Sequence, residues 1–97
     1  MNKVKRIFYV VVYDIQDNRK REKVSKILEK YGIRVNYSVF ECTFTEKQIQ
    51  SVQEKIDTYI KRKVDRVIYY RLCLDCYTKI VYQPASIHSS PKIVTLI

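Results

Sequence analysis

Seven consecutive β-branched or aromatic residues, Ile7-Phe8-Tyr9-Val10-Val11-Val12-Tyr13, open the regular part of the chain and stop at Asp14. An unbroken apolar run of this length reads as a strand covered on both faces at the centre of a sheet. After Asp17 or Asn18, either suited to cap a helix, the period changes. Val24, Ile27, Leu28 and Tyr31 form the stripe of an amphipathic helix. Gly32, the only glycine, is expected to end that helix as a left-handed cap. From Arg34 to Phe44 the residues favour strand again. Val35, Tyr37 and Val39 lie on one parity and Phe40, Cys42 and Phe44 on the other, which predicts a kink or tight hairpin near Ser38.

Thr45-Glu46-Lys47-Gln48 has the form of a capping box, and Ile49, Val52, Ile56, Tyr59 and Ile60 continue it as a second helical stripe. Lys61-Arg62-Lys63 then falls where positive charge suits a helix C-terminus. Residues 66–73 read as another strand, residues 78–82 as a shorter one, and Pro84 breaks it. A last apolar segment, residues 92–97, would be an aggregation hazard if left free, so it is expected to join a sheet edge of its own chain or of a partner. The order is βαββαβ. With right-handed crossovers it gives an α+β, ferredoxin-like domain: an antiparallel sheet with two helices on one face, spanning residues 1–82 and followed by a tail over residues 83–97 with a short strand at a dimer interface.

Composition narrows the classes. At 97 residues the chain is one small domain, and 46% hydrophobic residues with one glycine and two prolines exclude disordered and collagen-like chains. No apolar run reaches the roughly 20 residues of a membrane span. The start, basic then apolar, resembles a signal peptide, but no small-residue cleavage site follows Asp14, so a buried strand is expected. Three cysteines are too sparse for a disulfide framework and fit a reducing cytoplasm. The net charge of +9 calls for an anionic partner such as nucleic acid, a membrane surface or an acidic protein, against the alternative of a solvated basic surface.

Asp14 is the sharpest chemical candidate. A carboxylate ending a buried strand supplies a hard oxygen for Mg²⁺, which takes few protein ligands and fills its sphere with water and phosphate oxygens. The same residue also suits an Asx turn or a share in the helix cap. Arg19, Lys20, Arg21 and Lys23 crowd the start of the first helix, where cations oppose the dipole by about 0.3–1 kcal/mol each. Either a phosphate backbone gains from them or they are a solvated charge run. The single histidine, His88, leaves a two-histidine ribonuclease without residues. Cys73 and Cys76 form one Cys-x-x-Cys, half of a zinc site, and read as a structural or incidental thiol pair. No glycine-rich phosphate loop exists, and the stretch from Val39 to Phe44 lacks the glycine of an RNA-recognition strand. Nine tyrosines leave room for base stacking, although most fall on strands, where core packing is the usual use.

Three blocks together resemble the small CRISPR-associated "Cas-two" family: residues 9–15 with Asp17-Asn18-Arg19-Lys20-Arg21, then Arg34-Val35-Asn36-Tyr37-Ser38-Val39-Phe40-Glu41-Cys42, and Tyr70-Arg71-Leu72-Cys73 with Cys76. The likeness runs from residue 7 to about residue 82. It implies a cytoplasmic, ferredoxin-like homodimer of prokaryotic adaptive immunity, taking part in spacer acquisition with the Cas-one integrase. It also implies a metal-dependent endonuclease acting on RNA or DNA. By the resemblance, the metal-binding aspartate is Asp14, its neighbouring tyrosine is Tyr13, and basic positions fall on Arg21 and Lys23. The arginine of the second strand is Arg34, and the Ser-Val-Phe block supplies Ser38 and Phe40. Asn36 departs from an expected glutamine. Lys23 stands where arginine also occurs, which loses the bidentate fork toward phosphate.

One carboxylate per chain is thin for a nuclease, so a twofold axis near the end of the first strand is expected to bring two copies of Asp14 together. The pair would hold Mg²⁺ while Arg19 and Arg21 hold the backbone of the strand being cut. The competing reading is a non-catalytic basic dimer that binds DNA as a scaffold of the integration complex, with no membrane involved.

Overall fold

The computed structural model describes residues 5–84. The chain order is β1 (Ile7–Asp14), α1 (Asn18–Glu29), β2 (Gly32–Asn36), β3 (Val39–Phe44), α2 (Glu46–Asp57), β4 (Arg66–Leu72) and α3 (Leu74–Thr78). The four strands lie in the order β2-β3-β1-β4, and every neighbouring pair is antiparallel. This is the ferredoxin-like arrangement expected from the sequence. The predicted tail strand over residues 92–97 and His88 lie outside the described residues.

Alternation along β1 divides the sheet into two faces. Ile7, Tyr9, Val11 and Tyr13 point toward the helices and pack with Phe40, Cys42 and Phe44 of β3, Val24 and Leu28 of α1, and Ile49, Val52 and Ile56 of α2. Burying each large side chain of this set contributes about 1.5–3 kcal/mol. On the other face Phe8 is buried beneath Tyr77 and Ile80, with ring centroids of Phe8 and Tyr77 4.6 Å apart. Farther along β1, Val10 and Val12 are only half-buried. The unbroken apolar run does mark the central strand, but the described residues cover its second face at one end only.

Local signals account for most element boundaries. Asp17 is the N-cap of α1, its carboxylate accepting from the Lys20 N–H. The capping box forms as expected: the Gln48 N–H donates to Thr45 Oγ1 at 3.1 Å, and the Thr45 N–H donates to Gln48 Oε1 at 2.9 Å. The hairpin falls at Tyr37-Ser38, with a register shift between Arg34 and Asn36.

Three expectations are corrected. Gly32 is not a left-handed cap, because its φ is not positive and α1 closes at Lys30. It opens β2, where a Cβ would stand 1.9 Å from the Glu41 carbonyl oxygen and 2.6 Å from Cys42 Cα, so close strand approach is what demands glycine. The second helix ends at Asp57, short of Tyr59 and Ile60, which pack against the core from the following loop; the Lys61-Arg62-Lys63 run is therefore not in its last turn. No strand forms over residues 78–82. Cys73 instead caps α3, its sulfur accepting from the Cys76 N–H at 3.4 Å, and the helical spacing of Tyr77 and Ile80 lays both on Phe8.

Candidate nucleic-acid interface

The two-residue alternation of β1 separates its last two residues. Asp14 is exposed and projects from the helix-free face, the side that carries Val12 and Val10. Directly across the ladder stands Arg66, the first residue of β4. The Asp14 carboxylate has no hydrogen bond or ion pair to any described residue. Tyr13 points the other way, is 2% exposed and packs on Phe40 with ring centroids 6.2 Å apart. Its hydroxyl is the only solvent-excluded side-chain polar atom without a partner among the described residues.

The loop after Asp14 is held at several points. Ile15 is buried. The Gln16 N–H donates to Asp65 Oδ1 at 3.0 Å, and the Lys61 N–H donates to Asp65 Oδ2 at 2.8 Å, so one carboxylate clasps this loop to the loop before β4. These N–H bonds, that of Gln16 first, hold the Asp65 carboxyl below the usual carboxylate range. Asp17 is lowered too, mainly by the Lys20 N–H that it caps. Arg21 donates through Nη1 to the Ile15 carbonyl at 2.6 Å and through Nη2 to Asn18 Oδ1. The helix start that carries these cations therefore serves the loop as well as any ligand.

Arg34 bridges three elements. It donates through Nη1 to the Tyr37 carbonyl at 2.9 Å and through Nη2 to Ser25 Oγ of α1, and its guanidinium carbon lies 5.4 Å from the ring centre of Phe40. Phe40 is fully buried. Ser38 joins this group through its backbone, accepting the Tyr13 N–H at 3.1 Å. A cavity of about 450 Å³ opens between α1 and the β2–β3 turn, with Tyr13, Arg21, Arg34 and Tyr37 among its walls.

The nine residues singled out from the sequence thus fall into three groups. Tyr13, Arg21, Arg34, Ser38 and Phe40 gather on the helix side, Asp14 stands on the opposite face, and Arg19, Lys20 and Lys23 lie along the start of α1. The ion pairs among the described residues are Arg71–Glu46 and Lys79–Asp75, so none of the basic residues of the candidate site is in a close ion pair with a described carboxylate. Sequence reasoning missed Ser25, Tyr37 and Asp65. Ser25 had a faint signal, a polar residue beside Val24 on the buried side of the helix; Asp65 had none.

The described residues contain no group of three or more His, Cys, Asp or Glu side chains able to hold a metal. Asp14 alone fits a hard cation that keeps most of its water, as Mg²⁺ does, and does not fit a cage built wholly of protein ligands. Cys42 is buried and its thiol is pushed up to about 12, chiefly by desolvation, which makes it inert. Cys73 and Cys76 are exposed free thiols. No helix among the described residues is long and apolar enough to cross a membrane.

Comparison with known proteins bears on this arrangement. The family model described as "CRISPR associated protein Cas2" matches residues 7–80. A relative from Synechocystis sp., named CRISPR-associated endoribonuclease Cas2 3, is 41% identical over 64 residues, covering 66% of this chain and 70% of the relative. CRISPR-associated endoribonuclease Cas2 1 of Chloroflexus aurantiacus is 40% identical over 75 residues, 76% of this chain and 81% of its own length. Among solved structures, a chain of a partial Cas6-RT-Cas1–Cas2 complex superposes with a TM-score of 0.70 at 30% identity, covering 87% of this chain and 92% of that one. With a family model spanning all three helices and all four strands, the chain belongs to the Cas2 family of CRISPR-associated proteins.

Proposed function

We propose that this protein is a Mg²⁺-dependent endonuclease of the CRISPR spacer-acquisition machinery, active as a homodimer and working with a Cas1 integrase. The observation that carries the reading is the exposed carboxylate of Asp14, without a partner among the described residues, on the helix-free face of the sheet. That face also presents Val12, Val39, Ile68 at 41% exposure and Tyr70 at 52%, an apolar surface suited to a second copy of the chain. Two copies meeting there about a twofold axis near the end of β1 would set one Asp14 against the other and supply the second carboxylate that a single chain lacks. The relatives named as endoribonucleases support nuclease chemistry, and the Cas1-containing neighbour supports the integrase partner.

In this reading the two Asp14 side chains hold Mg²⁺. When bound, the ion supplies a nucleophile at neutral pH and offsets charge on the phosphoryl oxygens. The protein's own part is positional. The Asp65 clasp and the Arg21 bond to the Ile15 carbonyl fix the loop behind Asp14, while Arg19, Lys20 and Lys23 hold the phosphate backbone beside it. Arg66, across from Asp14, adds a guanidinium to the same face.

A second reading, a non-catalytic DNA-binding scaffold for the integrase, is favoured by the single carboxylate per chain and by cations of α1 that form no close ion pair among the described residues. A paired assay on Asp14→Asn separates the two. Loss of Mg²⁺-dependent cleavage with salt-dependent nucleic-acid binding retained supports the endonuclease. Cleavage as fast as wild type refutes it, and spacer acquisition that survives the substitution assigns acquisition to the scaffold role.

A further inference from the structure

We propose that Cys73 and Cys76 are a reversible oxidation site, closed by a peroxide to an intrachain disulfide, with Cys73 as the attacking sulfur and Cys76 as the resolving one.

The two residues are the N-cap and the third position of α3, the same i, i+3 relation that lets the side chains of a capping box meet. Both are exposed free thiols. Cys73 Sγ accepts the Cys76 N–H at 3.4 Å, and the Cys76 thiol also donates to the Cys73 sulfur, so the two side chains face each other. The Cys76 N–H first, and then the Cys76 thiol, hold the Cys73 thiol below its ordinary value of 9.0, while the Asp75 carboxylate works against them. Lys79 pairs with that carboxylate at 3.1 Å. Cys76, which donates within the pair, is raised instead. One accessible sulfur that favours the thiolate beside a neighbour that keeps its proton is the division of roles in a redox-active dithiol. Cys42 is the contrast within the chain, buried and with its thiol pushed up to about 12.

Other uses of the pair fit less well. Among the described residues no group of three or more His, Cys, Asp or Glu side chains can hold a metal, which leaves two sulfurs short of the four ligands that zinc takes. Nor do the sulfurs build the core: Leu72, Tyr77 and Ile80, on either side of them in sequence, are the residues that pack on Phe8.

The chemistry needs only the peroxide. The Cys73 thiolate attacks one peroxide oxygen, the O–O bond breaks, and hydroxide or alkoxide leaves Cys73 as a sulfenic acid. The Cys76 sulfur then attacks the Cys73 sulfur, the S–O bond breaks, and the departing hydroxide takes the Cys76 proton as water. Two electrons pass from the sulfurs to the peroxide, and an external dithiol returns them by exchange.

The test treats the intact protein with hydrogen peroxide at neutral pH, blocks remaining thiols with N-ethylmaleimide and maps tryptic peptides by mass spectrometry. Cleavage after Arg71 and Lys79 releases residues 72–79 with both cysteines on one peptide. That peptide should be unalkylated and two hydrogens lighter than its reduced form, and dithiothreitol should restore both thiols. Cys76→Ser, which keeps the N–H and a hydroxyl donor, should stop at a sulfenic acid on Cys73 that dimedone traps. Its iodoacetamide uptake at Cys73 should have a pH midpoint below 9.0. Cys73→Ser keeps a good N-cap and should consume peroxide at least about 5-fold more slowly than wild type. Two thiols still alkylated after peroxide, a disulfide joining two chains rather than closing within one, or equal peroxide rates for Cys73→Ser and wild type would overturn the proposal.

Discussion

Replacing Tyr13 with phenylalanine should make the protein more stable. The hydroxyl is excluded from solvent and no described group bonds to it. Burying a hydroxyl without a partner costs about 1–3 kcal/mol in proteins, and removing it leaves the ring, its packing on Phe40 and its place in the core unchanged. The void is a single oxygen, so the cavity penalty is small beside the gain. A net stabilisation of about 1 kcal/mol raises the melting temperature of a domain this size by about 4–8 °C. Thermal and urea unfolding should be compared at equal protomer concentration, since association would make the midpoint concentration-dependent. A Tyr13→Phe protein with an unchanged or lower melting temperature would refute the claim that this hydroxyl is an orphan.

Other perturbations test the frame around the site. Gly32→Ala drives a methyl group into the Glu41 carbonyl and should cost at least about 1–3 kcal/mol in the urea midpoint, with β2 and β3 losing hydrogen-exchange protection together. Asp65 has its carboxyl lowered in the folded state, so its stabilisation is complete above the ordinary value of 3.8 and is lost as the pH falls through the lowered one. Asp65→Asn should therefore be less stable than wild type at neutral pH, and the gap should close as the pH drops below that range in acid titrations followed by circular dichroism. Arg21→Lys gives up the fork that reaches both the Ile15 carbonyl and Asn18. Faster amide exchange at Gln16 with α1 otherwise intact is expected, and exchange as slow as wild type would show that Asp65 and Ile15 hold the loop alone.

What the sequence revealed follows from how local each cause is. The capping box and the Asp17 cap are decided within a few residues and are found where the pattern places them; the two helical stripes mark both long helices, although Tyr31, Tyr59 and Ile60 fall past their ends. Gly32 was legible as a special position but not for the right reason, because the crowding comes from β3, nine or ten residues away. The short apolar stretch after Cys73 suits strand or helix equally, and the choice is made by Phe8, which needs Tyr77 and Ile80 over its ring. At the candidate site, adjacent letters in the sequence, Tyr13 and Asp14, end on opposite faces of the sheet. Parity along β1 carries that division, but the function of each face depends on pairings that no local pattern reports. The Asp65 clasp joins residues 49 positions apart and had no signature at all.

The central claim is that two copies of Asp14 share one divalent cation across the helix-free face. Titration with Mn²⁺ as a Mg²⁺ substitute, followed by electron paramagnetic resonance alongside the mass of the protein in solution, tests it directly. The account predicts a dimer binding one Mn²⁺ per pair of chains, with that binding lost in an Asp14→Asn protein that remains dimeric. Undiminished binding by Asp14→Asn, or one tightly held ion per monomer, would contradict it.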